Sequence, residues 1–295
     1  STGSGIDNIT LASTGSITGA VTLGAGSDSF IWQGGTIGST VDGGTGLIDI
    51  FNSALGAGIS GSLNMSNLSG FEQYNHQSGS LTLTGTANIG TAGWTLLPGT
   101  SLTLNGSLTA TDTAITENGN GSPATVSILS GAALNAATGV WFNSGASHNF
   151  SNAGTVTASG TGVSNNSTLT ATNSGTITAA TGAAFGLGFG YSNVTNTGTL
   201  TGGSNAASGF GIHSQYQGVT VTNTAGTISG GAGGILSGSG IYGGLLNVSN
   251  AAGAQISGPV AITTGGTSSL TLNNSGRVLG GATGAIVANG SGAVS

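Results

Sequence analysis

The sequence predicts an all-β protein, a right-handed parallel β-helix (β-solenoid) of about a dozen coils. Three observations carry this prediction. A short Asn-led phrase recurs every 21 to 27 residues, glycines recur before β-branched residues at a similar interval, and short segments alternate apolar and hydroxyl side chains. A repeat of this length is typical of stacked β-coils, in which each coil buries its apolar face only against its neighbours.

The Asn-led phrase marks the second part of the chain. One copy reads Asn-Ala-Gly-Thr-Val-Thr from Asn152, and another reads Asn-Thr-Gly-Thr-Leu-Thr from Asn196. Six copies begin at Asn152, Asn173, Asn196, Asn223, Asn250 and Asn273. We expect these asparagines to stack in register as an amide ladder along one corner, as in other repetitive β-stacks. The alternative is that each asparagine only favours a local turn.

Glycine-led segments extend the repeat through the first part of the chain. Gly79-Ser-Leu-Thr-Leu and Gly99-Thr-Ser-Leu-Thr-Leu each join a glycine to the alternation of a strand that buries one face. Glycine supplies the positive φ values that sharp corners need, and crossovers between parallel strands are expected to be right-handed. We find no helical periodicity.

The predicted solenoid is a single domain over residues 1–295 with two parts of different character. Residues 1–135 form less regular coils and contain all seven acidic residues, the last of which is Glu117. Residues 136–295 form the coils that carry the Asn-x-Gly-Thr repeat.

Charge is scarce in this composition. The chain has one Arg, no Lys, seven acids and a net charge of −6. Charged residues therefore make up 3% of it, against about 25% in an ordinary soluble domain. Between Asn118 and Gly276 there is no charged residue at all. A nucleic-acid partner is excluded because it needs a basic surface. Disorder is disfavoured, because disordered chains combine low hydrophobicity with high charge.

The chain contains no cysteine, which suits a secreted protein whose stability comes from stacked backbone hydrogen bonds rather than disulfides. No apolar run approaches the ~18 residues of a transmembrane helix. The sequence begins at Ser1 without a charged and apolar signal segment, so we expect a mature product or an excised fragment.

The order of these motifs resembles the passenger regions of bacterial autotransporters, the type V secretion family. The resemblance rests on Val21-Thr-Leu-Gly-Ala-Gly-Ser-Asp-Ser-Phe, Leu68-Ser-Gly-Phe-Glu, Ser78-Gly-Ser-Leu-Thr-Leu-Thr-Gly and the Asn-Ser-Gly-Thr-Ile-Thr copies. It covers most of the chain. It implies a right-handed parallel β-helix that is displayed at, or released from, the outer surface of a Gram-negative cell.

A calcium site is a weaker expectation. The segment from Leu23 to Ile31 partly matches the calcium-binding β-roll nonapeptide, with Asp28 at the acidic position. A second partial match has its acid, Asp49, one position late. Calcium takes 6–8 oxygen ligands, and only Asp28, Asp42 and Asp49 are candidates for a shared site. The favoured interpretation is that these carboxylates are solvated in turns and that the chain needs no cofactor.

The sequence predicts no catalysis. Glycoside hydrolysis needs two carboxylates at a set separation, and acids are confined to the first part. The candidates for acid–base chemistry are Glu72 with His76, and Asp112 with Glu117. A local turn with an aromatic plug is the favoured interpretation of the first pair. His148 and His213 have no acid near them in the sequence, so metal binding is not expected there.

Aromatic residues concentrate in the second part at Trp141, Phe142, Phe150, Phe185, Phe189, Tyr191, Phe210, Tyr216 and Tyr242. The Phe and Trp residues are expected to stack in the core. For the three Tyr residues both a core and a surface position stay open, because their hydroxyl groups prefer water or a partner. The alternative is an external strip that contacts sugar rings.

Four functions stay open at this point. The favoured one is a non-catalytic, structural and adhesive passenger or spacer, secreted or held on the cell surface, whose partner is a host or matrix glycan or protein. The second is a subunit that associates end to end, or with further coils of a longer chain, into an extracellular filament. The third is a glycan-binding or glycan-cleaving β-helix. Ice binding through Thr-x-Thr rows is disfavoured, since it requires a long, flat and regular threonine array and the coil lengths vary too much.

Overall fold

The computed structural model describes residues 3–119, 121–143, 145–237, 244–289 and 292–295. It is a parallel β-solenoid of about 12 coils, which confirms the all-β fold class. Among the described residues the one helical segment is a 3-10 turn, Met65–Asn67. That part of the chain holds no helix with the length and apolar character needed to cross a membrane. The right-handed sense of the coil stays a prediction.

The strands are short and follow one another closely. The first eleven are β1 Asn8–Leu11, β2 Ser16–Ile17, β3 Val21–Thr22, β4 Ser29–Trp32, β5 Thr36–Ile37, β6 Val41–Asp42, β7 Ile50–Ala54, β8 Ser60–Asn64, β9 Leu68–Ser69, β10 Gln73–Ser78 and β11 Ser80–Asn88. The next eleven are β12 Trp94–Leu96, β13 Ser101–Thr109, β14 Thr113–Glu117, β15 Thr125–Ile128, β16 Ala133–Phe142, β17 Ser147–Asn152, β18 Thr155–Asn165, β19 Thr168–Asn173, β20 Thr176–Ala179, β21 Phe185–Leu187 and β22 Ser192–Asn196. The last eleven are β23 Thr199–Gly202, β24 Phe210–Ser214, β25 Val219–Asn223, β26 Thr227–Gly230, β27 Gly233–Ser237, β28 Leu245–Asn250, β29 Gln255–Ser257, β30 Val260–Thr264, β31 Ser269–Asn274, β32 Arg277–Leu279 and β33 Ile286–Ala288.

Most strands form three faces, each a column of parallel strands from successive coils, while β2 with β5 and β3 with β6 and β9 form two small separate sheets in the first coils. Face A contains β8, β11, β13, β15, β17, β19, β22, β25, β28 and β31. Face B follows it around a corner and contains the first halves of β16 and β18, then β20, β23, β26, β29 and β32. Face C contains β1, β4, β7, β10, β12, β14, the second halves of β16 and β18, then β21, β24, β27, β30 and β33.

The core is a narrow stack of like side chains, because each residue lies over its register partner in the coil before. On face C the inward row contains Phe30, Phe51, Tyr74 and Trp94, which are at most 4% exposed. Successive ring centroids in this row are 5.8, 6.2 and 5.2 Å apart. The row turns aliphatic at Ile115. Burial raises the pKa of Tyr74, so its hydroxyl stays protonated.

The predicted burial of the later aromatic residues is confirmed for Phe142, Phe150, Phe185 and Phe210. It is wrong for Phe189, which is 53% exposed because it lies in the turn after β21, outside the alternation of a strand. Trp141 occupies an outward position of face C and is half-buried. Tyr191 is exposed, whereas Tyr242 lies outside the described residues.

Candidate functional site

Five of the repeated asparagines stack at the corner between faces A and B. They end β17, β19, β22, β25 and β28, and all are at most 2% exposed. Each side-chain amide nitrogen donates a hydrogen bond to the Oδ1 atom of the next asparagine. The four N–O distances from Asn152 through Asn250 are 2.8, 2.8, 2.9 and 2.9 Å. A buried amide that is hydrogen-bonded in this way avoids the penalty for an unsatisfied polar group.

The same amides close the turns that follow them. The side-chain nitrogen of Asn173 also donates to the carbonyl of Gly175, and that of Asn223 donates to the carbonyl of Gly226. The first rung is incomplete, since the Oδ1 atom of Asn152 is buried without a partner. The reason is that Ile128 occupies this position in the coil before and has no donor.

The sixth rung is Asn274, so the assignment of Asn273 was wrong. The Asn250 amide donates to the Oδ1 atom of Asn274 at 2.7 Å. Asn273 pairs with Ser249 on the outward side of face A and is exposed. Strand alternation explains the difference. Leu270 faces inward, and Asn274 lies four positions after it, on the same side of the strand, whereas Asn273 lies three positions after it, on the other side.

A second ladder, made of acids, lies before the first strands of face C, and the sequence analysis missed it. The backbone N–H of Asp7 donates to Asp28 Oδ1 at 2.8 Å, and that of Asp28 donates to Asp49 Oδ1 at 2.8 Å. The N–H of Asp49 donates to Glu72 Oε2 at 2.7 Å. These acids are spaced by 21, 21 and 23 residues, which matches the spacing of the Asn-led phrase. This spacing is the sequence signal from which the acid ladder could have been predicted.

Two of the three calcium candidates therefore lie in the acid ladder. Asp28 and Asp49 are at most 1% exposed and use carboxylate oxygens as acceptors for backbone N–H groups. Asp42 is the last residue of β6, and its Oδ1 atom accepts a hydrogen bond from the N–H of Gly44 at 3.2 Å. In the described ranges no three acidic, His or Cys side chains gather as a metal site. The donor set fits a structural role, and the expectation that the chain needs no cofactor stays a prediction.

The structure does not bring Glu72 and His76 together as an acid–base pair. Glu72 is exposed at the end of the acid ladder, whereas His76 is 0% exposed inside the core. Both ring nitrogens of His76 are engaged, Nδ1 with Ser53 Oγ at 3.2 Å and Nε2 with the Gly79 carbonyl at 3.1 Å. Burial lowers the pKa of His76, because the charged imidazolium would lose its hydration there.

Asp112 and Glu117 also lie in different environments. Asp112 is exposed in the turn before β14, and Glu117 is 0% exposed at the end of that strand. Glu117 instead faces His148, with 3.6 Å between Oε2 and Nε2. His148 has no acid near it in the sequence, but one turn of the solenoid brings Glu117 against it. The Phe142 ring stacks on the imidazole at 4.8 Å, so the pair is enclosed in the core.

Face A presents an uncharged outward surface that stays in register over ten coils. Hydroxyl and amide side chains alternate with buried apolar ones along strands such as β11, β13, β19 and β25. One outward row consists of Ser62, Thr82, Thr103, Ser127, Ser151, Thr172, Thr195, Thr222, Ser249 and Asn273. A second row, two residues earlier in each strand, runs from Ser60 to Thr271 and has the same character.

Face B carries a shorter array of the same kind. The pairs Thr155 with Thr157, Thr176 with Thr178, Thr199 with Thr201, and Thr227 with Ser229 lie in register on four successive strands. The premise that variable coil lengths prevent a regular threonine array was therefore wrong. The differences in length are taken up in the turns, and the strands keep their register.

The fold agrees with the β-helix that the resemblance to autotransporter passengers implies, and it is shared by solenoids of many other kinds. The chain itself gave no match in comparisons with protein-family models, with curated proteins and with solved structures. Membership of the autotransporter family therefore stays a prediction.

Proposed function

We propose that this chain is a non-catalytic β-solenoid with a structural and adhesive role outside the cell, as a surface-displayed or released passenger or spacer. The observation that carries the proposal is the ten-coil array of uncharged hydroxyl and amide groups on face A. Such groups donate and accept hydrogen bonds without selecting for charge.

The array suits adhesion because its groups are held on a rigid sheet at a constant spacing of about 4.8 Å along the axis. A partner with its own repeating polar groups gains many weak contacts at once, and multivalency makes their sum large. Strand side chains are already ordered, so little conformational entropy is lost on binding. The partners proposed are polymers of the cell surface or matrix, glycan or protein, or another copy of the chain.

The placement of the ionisable groups supports a non-catalytic role. Catalysis by acid–base pairs needs a carboxylate or imidazole that reaches substrate. His76 and the Glu117–His148 pair are at most 1% exposed. Asp28 and Asp49 accept hydrogen bonds from backbone N–H groups in the acid ladder.

Adhesion of beads that carry the chain to polysaccharide films and protein-coated surfaces tests this function. Replacing four outward residues of face A by valine (Thr103, Thr172, Thr195 and Thr222) removes hydroxyls while keeping β-branched shape, and adhesion should fall at least two-fold. The control is Thr157→Val, Thr178→Val and Thr201→Val on face B. Wild-type beads that adhere to nothing, or turnover of a glycan or peptide by the chain, would contradict the proposal.

The threonine array of face B supports a second candidate, binding to ice. Its pairs lie in register over four coils and are half-exposed or exposed, so they present a repeating pattern of hydroxyl and methyl groups to water. Thermal hysteresis of freezing, lost on Thr178→Tyr, would establish it. Freezing of the wild-type solution without hysteresis or inhibition of recrystallisation removes this candidate.

A further inference from the structure

A groove of about 220 Å³ crosses the outer side of face C over strands β18, β21 and β24. Its floor follows one outward row, in which Ser164 pairs with Gly186 and Gly186 pairs with His213. Gly186 has no positive φ, so the backbone does not require glycine there. What the missing side chain provides is space between Ser164 and His213.

The lining of the groove is polar and uncharged. Hydroxyl, amide and imidazole groups surround the gap, contributed by Thr161, Ser164, Asn166, His213 and Gln215. Burial lowers the pKa of His213, which keeps the ring neutral at neutral pH. The sequence has no charged residue between positions 118 and 276. An ionic ligand would therefore lose hydration without gaining a countercharge.

A pair of stacked aromatic rings lies at one edge of the groove. Phe189 and Tyr216 follow the lining residues Gly188 and Gln215 directly, and their ring centroids are 4.7 Å apart with planes inclined by 10°. Phe189 is 53% exposed, and Tyr191 beside it is 63% exposed. Exposed rings grouped beside a concave surface mark a binding site more often than isolated exposed residues do.

We propose that this groove binds a neutral oligosaccharide. A sugar ring has an apolar C–H face that packs on an aromatic ring and hydroxyl groups that pair with amides and hydroxyls. The exposed face of Phe189 supplies the first surface, and Asn166 and Gln215 supply hydrogen bonds to the second. This inference rests on the proposed adhesive function and names the ligand class for one part of the surface.

The test measures binding of cellohexaose, maltohexaose, mannohexaose and xylohexaose to the whole chain by saturation-transfer NMR and calorimetry. Phe189→Ala removes the aromatic platform and should weaken binding at least ten-fold. Its control is Ile59→Ala, since Ile59 is equally exposed, at 53%, on another coil. Gly186→Val fills the floor independently and should have a similar effect. Gly145→Val is its control, because a Cβ there meets nothing within 4 Å.

Loss of binding in both groove variants, with both controls within two-fold of wild type, supports the proposal. It is overturned if none of the four sugars binds, if binding survives both groove variants, or if only an acidic trigalacturonate probe binds. Bead adhesion is measured in parallel. If the beads adhere but no sugar binds, the groove proposal fails and the adhesive function stands. If there is neither adhesion nor sugar binding, both proposals fail.

Discussion

The corner between faces A and B is built differently in the two parts of the molecule. In the first part its inward column consists of Leu63, Leu83, Leu104 and Ile128. From Asn152 onward the same column consists of asparagines. One position in the coil is thus held by apolar burial in some coils and by a chain of buried hydrogen bonds in others.

The difference follows from how the chain turns. Strands β11 and β13 continue through the corner and bend at a glycine, so the backbone groups stay paired with the next coil. In the later coils a tight Asn-x-Gly turn interrupts the strand and leaves carbonyl groups that need donors. The amide of Asn173 donates to one of them, at Gly175. The comparison teaches that a sharper corner needs a polar residue inside the core.

The asparagine ladder and the acid ladder also differ in how their side chains form hydrogen bonds. An amide both donates and accepts, so the asparagines bond to one another through the core. A carboxylate only accepts, so Asp28 and Asp49 bond to backbone N–H groups of the preceding coil instead. Replacing an asparagine by aspartate in the first ladder and an aspartate by asparagine in the second should therefore change stability in opposite directions.

The largest effect is expected from Asn196→Asp. The new carboxylate would lose the donor that now reaches Asn223 and Gly198 and would bury a charge. The free energy of unfolding should fall by about 4 kcal/mol, measured by denaturant titration with circular dichroism. Asn193→Asp, on the exposed side of the same strand, is the matched control and should change little. Equal losses in the two variants would contradict the ladder as a source of stability.

A moderate effect of pH on the free energy of unfolding is expected. The asparagine ladder does not titrate, whereas His76 does. Its pKa is lowered by burial in the folded state, so below the unfolded value of about 6.5 the unfolded chain binds the extra proton. Stability should therefore fall as pH decreases through 6.5, by up to about 1.4 kcal/mol per pH unit until the folded pKa is reached.

Denaturant titrations at several pH values between 7.5 and 4.5 test this dependence. His76→Gln keeps a donor for the Gly79 carbonyl but does not titrate, so its slope should be smaller than that of the wild type. His213, whose pKa is lowered for the same reason, gives the corresponding comparison in the second part through His213→Gln. If neither substitution reduced the slope, other groups would have to account for it.

The smallest effect, and one of opposite sign to Asn196→Asp, is expected from Asp28→Asn. The amide oxygen can still accept the hydrogen bond from Asp7, while a charge next to Asp49 is removed. The unpartnered Oδ2 atom of Asp28 also becomes a neutral group. Stability at pH 7 without calcium should rise by about 1 kcal/mol. A loss of stability would contradict this prediction, whereas stabilisation of the wild type by calcium that this variant lacks would support a metal site.

The sequence predicted what depends on local pattern. Alternation and the coil-length repeat were sufficient for the fold and for the positions of Asn152 to Asn250, and stricter use of alternation would also have selected Asn274 over Asn273. The Glu117–His148 contact could not be predicted, since it depends on how far each turn shifts the next strand. The exposure of Phe189 was missed because turns have no periodicity from which a side-chain direction follows.

The parallel register has a mechanical consequence. Because the hydrogen bonds between coils run along the axis, a pull between the two ends would load one coil boundary at a time. The solenoid would then peel in steps rather than shear as a block. A coil such as the one from Asn152 to Asn173 rises only about 4.8 Å when folded, yet its 21 residues span about 70 Å when extended. An attached protein of this kind would lengthen under tension and dissipate work before its attachment failed.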